Sequence, residues 1–385
     1  MGPRLNERLV DVDQTTENNW FDDRFWLLKA YHEWRAPLLV NSNWWNMFLP
    51  DPCMPAELSE RVDAPAYTQE AIDLQNWDGI EYGLRRATWI TYRATLYKIA
   101  LDRQTIKPDA SRAGAFCMHQ YSRMFGVTRI PNRPADHNTA TSISAASRHV
   151  TVLVRDNVYE LPVIDEHGEI FPLTAIEKAL QDIIADAKQA KGDGIPVMTC
   201  DDRDAWTKAR EHLLSLGPQN RQNLQSIQTS LFVLALDCNN IGAPLGAKPN
   251  VGSEPSYSSA VGINTAGAGR LGHNRWFDKA ISFVVEPTGR AGLSGEHSPV
   301  DALIPSFLSE TVLAVPMPPP TENFPEKLEG VSLLETSPTW RKLSWLVDDK
   351  VRASIAAAED TAKAITSDSD IGVLWYSEYG ADWIK

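Results

Sequence analysis

The stretch Gly272-His273-Asn274-Arg275-Trp276-Phe277-Asp278-Lys279 runs into Ala280-Ile281-Ser282-Phe283-Val284-Val285-Glu286-Pro287. It turns at Thr288-Gly289 and returns to Gly295-Glu296-His297-Ser298-Pro299-Val300-Asp301. The apolar, β-branched run Asp278–Pro287 predicts a strand, and Arg290–Gly295 predicts its return. The pair delivers a histidine at its end, with an aspartate following in the next turn of chain. Corners after strands place side chains at cleft mouths. An imidazole there can act as a general base, because its ordinary pKa lies near neutrality. His297 is one of eight histidines, and pattern alone favours the bland reading of a structural or surface residue.

Upstream, apolar residues recur at helical spacing over 17–35 (Trp20, Phe21, Phe25, Leu28, Tyr31), and Pro37 ends that helix. By pattern these aromatics are core. Residues 51–68 read as loop and 82–104 as a second helix. Arg148–Val154 and Val158–Val163 form a hairpin about Asp156-Asn157. Helices are predicted over Thr174–Ala190, with Glu177 in the capping-box position behind Thr174, over Asp201–Leu216, and over Asn223–Leu236. Residues 240–273 read as a long loop holding Gly267-Ala268-Gly269-Arg270-Leu271-Gly272. A dinucleotide fingerprint needs a strand before it and a helix opening within it. Neither is present, so the glycines serve the loop.

Downstream, Val300–Leu313 is predicted helical despite Pro305, Pro316–Glu326 loop, Arg341–Val347 strand, Asp348–Ile365 helix and Ile371–Tyr376 a last strand. Helices interleaved with strands indicate an α/β or α+β sheet covered by helices.

The totals narrow the function classes. A net charge of −13 argues against non-specific nucleic-acid binding. No run of apolar residues is long enough to span a membrane, and no apolar segment follows the start as in a signal peptide. Cys53, Cys117, Cys200 and Cys238 are far apart, which predicts reduced core thiols in an intracellular protein rather than a disulfide frame or a metal site. Eight of thirteen tryptophans lie before residue 210, so the N-terminal half should carry a large aromatic share of the core.

Several stretches carry a family resemblance. They are Asn274-Arg275-Trp276-Phe277-Asp278-Lys279, then Gly295-Glu296-His297-Ser298 with Asp301, and Asn19-Trp20 through Trp26, Tyr31, Arg35, Pro37-Leu38 and Asn41-Ser42-Asn43. Cys117-Met118-His119-Gln120-Tyr121, Phe125-Gly126, Arg129-Ile130-Pro131, Ser147-Arg148-His149 and Tyr379-Gly380 through Lys385 follow in order. Together they resemble the choline/carnitine acyltransferase family. The wording around Tyr31 and Glu296 is most similar to its fungal carnitine acetyltransferases.

The resemblance implies two similar α/β domains, each a chloramphenicol acetyltransferase-like mixed sheet flanked by helices. This chain covers the first, with a mainly helical part over 1–110 and an α/β core over 111–385, truncated at both ends and without the second domain. The active site is then a tunnel between the domains. His297 is the general base, taking the proton of the carnitine hydroxyl that attacks an acyl-CoA thioester, with no acyl-enzyme. Asp301 supports the site by pairing with an arginine of the second domain. Trp26 and Tyr31 lie on the carnitine side, where an aromatic beside a quaternary ammonium contributes roughly 0.5–2 kcal/mol. Lys385 meets a CoA phosphate, although Ala381 stands where a companion lysine is usual.

The implied partners are acyl-CoA and carnitine, with no tightly bound cofactor or metal, no nucleic acid and a monomer when full length. The implied compartment is cytoplasmic, with mitochondrial and peroxisomal placement as alternatives. The chain alone is expected to be inactive, since a base without positioned substrates loses a proximity contribution of roughly 7–11 kcal/mol. The competing readings are a choline acyltransferase, a non-catalytic remnant, and the acyltransferase part of a larger biosynthetic enzyme.

Overall fold

The computed structural model describes residues 2–16, 21–59, 61–139, 147–242, 257–325, 338–369, 371–373 and 379–384. A seven-stranded mixed sheet organises them. Its strands, in chain order, are β1 (Trp44–Met47), β2 (His149–Val154), β3 (Asn157–Pro162), β4 (Val233–Leu236), β5 (Ser282–Val285), β6 (Ala291–Gly295) and β7 (Arg341–Lys342). Across the sheet they lie in the order β1-β6-β5-β4-β2-β3-β7. The central strand β4 is parallel to both neighbours, β5 and β2. The outer pairings are antiparallel.

Both hairpins expected from the sequence are present. The β2–β3 turn sits one residue earlier than expected. Arg155 and Asp156 occupy it with φ of 52° and 60°, the two left-handed positions that match the twist of a tight hairpin. Along β2, Val150, Val152 and Val154 pack into one core while Leu153 packs into the other. β4 divides the same way: Leu234 and Leu236 on one face, Val233 and Ala235 on the opposite one. Helices Ile80–Asp102, Leu173–Gln189 and Leu303–Leu313 cover the first face; Arg203–Ser215, Pro218–Thr229 and Asp349–Ser367 cover the second. The fold is thus an α/β mixed sheet flanked by helices.

Several expectations need correction. The predicted helix Asn223–Leu236 is in fact the end of helix Pro218–Thr229 followed by β4. A strand buried on both faces is a continuous apolar run, whose periodicity does not separate strand from helix. The loop predicted over 240–273 contains the buried helix Tyr257–Thr265 and a 3-10 turn, Ala268–Arg270; residues 243–256 lie outside the described set. The glycines of that loop are packing devices: Gly267 and Gly272 have φ near +80°, and a Cβ on Gly269 would meet Ile241 Cδ1 at 2.6 Å. Helix Leu173–Gln189 begins behind Pro172 with no side-chain cap, so Thr174 lies inside it and makes no capping box.

Only Arg341–Lys342 of the expected strand 341–347 joins the sheet. Residues 371–373 are not strand, and 374–376 fall outside the described set. β1 was not anticipated, nor was helix Gly2–Thr15, which buries none of its residues.

The aromatics of the first predicted helix are not core. Phe21–His32 is a wide π-type helix. Phe21, Phe25 and Trp26 on it stand 45–50% exposed. They contact one another, Phe21 stacking on Trp26 at 6.1 Å. Trp44, Trp89 and Trp206 do enter the core, whereas Trp34 is exposed; Trp20 lies outside the described residues. All four cysteines are free, but only Cys200 and Cys238 are buried, Cys53 is partly so, and Cys117 is exposed.

Candidate active site

β6 ends at Gly295, opposite Trp44 of β1. A Cβ at Gly295 would sit 2.0 Å from the Ala280 carbonyl oxygen and 2.5 Å from the Trp44 ring. The strand can pass there only without a side chain. Glu296 then donates its N–H to the Lys279 carbonyl at 3.0 Å, and the chain turns at His297. The imidazole is 32% exposed, and its Nε2 is 3.9 Å from Asp301 Oδ1. That is too long for a hydrogen bond. Asp301 is itself 60% exposed. Gln120 fixes it from both ends, donating to its carboxylate at 3.3 Å and accepting from its N–H at 3.0 Å. The helix predicted from Val300 starts at Leu303.

The Tyr31 ring stands edge-on to the His297 ring, 5.1 Å between centroids and 89° between planes. Trp26 makes a similar edge contact with Tyr31 at 6.3 Å. Alongside lies a cavity of about 480 Å³, lined by Phe21, Trp26, Cys117, Gln120, Asp301 and Leu303 among others. The volume suits a small ligand. Aromatic faces together with a carboxylate suit an organic cation, through cation–π and ionic attraction.

Beneath this corner is a charge network that is buried except at its Arg35 edge. Arg129 donates from Nη1 to Glu296 at 2.8 Å and from Nε to Asp136 at 2.7 Å. Its Nη2 reaches the carbonyls of Tyr31 and Trp34 at 2.7 and 3.1 Å. Arg203 joins Asp136 to Asp278 at 2.8 and 2.6 Å, and Arg35 adds a further bond to Asp136 at 2.7 Å. Three guanidiniums thus face three carboxylates. Burial alone would raise the Asp136 carboxyl, but Arg203 and Arg129 outweigh it and hold it below the ordinary value. His32, next to Tyr31, is buried, and desolvation lowers its pKa.

Two more polar residues of the opening stretch are buried elsewhere. Lys279 places its ammonium 3.0 Å from the Ile227 and Gln228 carbonyls and 3.1 Å from Thr128 Oγ1. Burial lowers its pKa well below the ordinary lysine value, yet three acceptors call for three N–H groups at this helix C-terminus. His273 bonds Asp156 at 2.8 Å and approaches Glu359 at 3.4 Å. It is a buried cross-link between the β2–β3 turn and the last long helix, not part of the His297 corner.

Four of the expected site residues therefore come together: His297, Asp301, Tyr31 and Trp26. Lys385 lies outside the described residues. Glu296, Arg129 and Gln120 stand in the motifs, but the sequence alone gives them no role. An acid abutting the histidine was the one local signal; the partners of Arg129 at positions 31, 34, 136 and 296 are too far apart in sequence to be paired by pattern. Among the described residues, no cluster of three His, Cys, Asp or Glu could hold a metal ion.

Comparison with known proteins gives consistent results. The chain is 26% identical over 392 aligned positions to the carnitine O-acetyltransferase of Homo sapiens, and 27% over 397 to the choline O-acetyltransferase of Mus musculus. In both cases all of this chain aligns, with 55% of the relative. A putative mitochondrial carnitine O-acetyltransferase of Saccharomyces cerevisiae is 25% identical over 423 positions, covering 99% of this chain and 58% of the relative. The chain spans about half the length of the curated relatives it matches. The family model for choline/carnitine O-acyltransferases matches residues 1–385. Matched along its whole length, the chain belongs to the choline/carnitine O-acyltransferase family.

Proposed function

We propose that this chain carries the general-base part of a carnitine O-acetyltransferase site. In this reading His297 accepts the proton of the carnitine hydroxyl as its oxygen attacks the carbonyl carbon of an acyl-CoA thioester. The C–O bond forms, the C–S bond breaks, and the imidazolium returns the proton to the departing CoA sulfur. The reverse reaction uses the same base on the CoA thiol. No acyl-enzyme and no tightly bound cofactor are required. One observation carries the reading: a part-exposed imidazole on a buried, ion-paired corner, beside an aromatic-walled cavity of about 480 Å³.

The remaining roles follow. Trp26 and Tyr31 flank the quaternary ammonium of carnitine, where each aromatic contact contributes about 0.5–2 kcal/mol. Asp301 stabilises the imidazolium through space and is exposed enough to take an arginine partner. Lys385 is a CoA phosphate contact. The carnitine reading rests on the motif wording; the choline O-acetyltransferase relative is equally similar.

The test uses the protein made from its native gene, with acetyl-CoA and either L-carnitine or choline. Acetylcarnitine should form, and His297→Ala should lower kcat by a factor of about 10³ or more, leaving the KM for acetyl-CoA nearly unchanged. Turnover on choline alone would move the assignment to a choline O-acetyltransferase. A His297→Ala variant that still turns over would remove His297 as the base.

A further inference from the structure

We propose that Glu296 and Arg129 are positioning residues for the His297 base, clamping it to the aromatic helix that faces it. The inference rests on the reading of His297 given above and adds how that imidazole is aimed. Glu296 is fully buried and cannot touch a substrate. Its two oxygens do separate tasks. Oε1 accepts from Arg129 Nη1 at 2.8 Å. Oε2 accepts from the Ser298 N–H at 2.9 Å and from the Ser298 hydroxyl. The carboxylate therefore brackets His297, holding the residue after it while its own backbone N–H is fixed on Lys279.

Arg129 makes the second connection. It too is fully buried. The guanidinium that holds Glu296 also holds the Tyr31 and Trp34 carbonyls. Tyr31 is the residue whose ring stands against the His297 ring at 5.1 Å. One planar fork thus fixes the distance between the two rings from behind, through bonds that use four of its five N–H groups. The Ser298 hydroxyl also meets Asn138 at 3.0 Å, which ties the corner to a third segment. A lysine at 129 would supply the charge but not the fork. A glutamine at 296 would turn an amide N–H₂ toward either Arg129 or Ser298, both of which are donors.

The test reads the His297 ring directly in the 385-residue chain. Histidine labelled with ¹³C at Cε1 gives one cross-peak per ring, and the His297 peak is the one lost in His297→Ala. Tyr31→Ala supplies the position of that peak without its aromatic neighbour. Glu296→Gln should move the His297 peak toward the Tyr31→Ala position, and Glu296→Asp should restore it only partly. If Glu296→Gln does not fold, Ser298→Ala, which removes one bond to Glu296, should give a smaller shift in the same direction. In the protein from the native gene, Ser298→Ala should lower kcat severalfold while the KM for acetyl-CoA stays within twofold. Folded Glu296→Gln and Ser298→Ala variants with an unmoved His297 peak would overturn the clamp. Absence of acetyl transfer by the unsubstituted protein from the native gene would instead overturn the function reading, because the spectrum does not depend on turnover.

Discussion

His297 and His273 show how differently the chain uses the same side chain. His297 is part-exposed and ring-packed on Tyr31. His273 is buried between two carboxylates: burial alone would lower its pKa, but Asp156, with help from Glu359, raises it to about 9. A group whose pKa is higher folded than unfolded stabilises fully below the unfolded value, here the ordinary 6.5. That stability is lost as pH rises through about 9. Urea denaturation from pH 6 to pH 10, about the window those values set, should show the stability gap between wild type and His273→Gln shrinking with rising pH. A gap that stays flat would mean that the imidazolium cross-link contributes nothing.

Gly295 is the element-scale counterpart, since it lets β6 end against β1 and release the chain into the His297 turn. With a backbone oxygen 2.0 Å from the added Cβ, Gly295→Ala has to displace the strand. Overpacking of this kind costs roughly 1–3 kcal/mol. Gly372→Ala, whose Cβ would meet nothing within 4 Å among the described residues, is the control. Equal denaturation midpoints for the two variants would refute the argument.

Elements were legible in the sequence where one face is polar or where turns frame a run. Helix Ile80–Asp102, the β2–β3 and β5–β6 hairpins, and helix Asp349–Ser367 all fall near their expected places. β4 was not legible, because both its faces are buried and no period-two signal survives. β1 escaped because four residues after a turn carry little pattern. The site divides likewise. His297, Asp301, Tyr31 and Trp26 followed from motif resemblance and are close together in space. The Arg129–Glu296–Asp136–Arg203 network consists of charges whose burial only the fold reveals. Phe21 and Phe25, which helical spacing marks as core, are exposed, because that spacing gives the face but not what covers it.

For the whole molecule, the comparisons show the family and the geometry around His297 supports a base. Proximity of bound substrates is where most of the rate would arise, and the chain spans about half the length of the curated relatives it matches. The purified 385-residue chain with acetyl-CoA and L-carnitine should therefore give no acetylcarnitine above the His297→Ala background, followed by mass spectrometry. Clear turnover would show that these 385 residues suffice to position both substrates.

The most direct test of the central claim is acetyl transfer between acetyl-CoA and L-carnitine by the protein from its native gene, measured beside its His297→Ala variant. The account predicts acetylcarnitine formation that falls about 10³-fold or more when the imidazole is removed. Equal rates for the two proteins would contradict it.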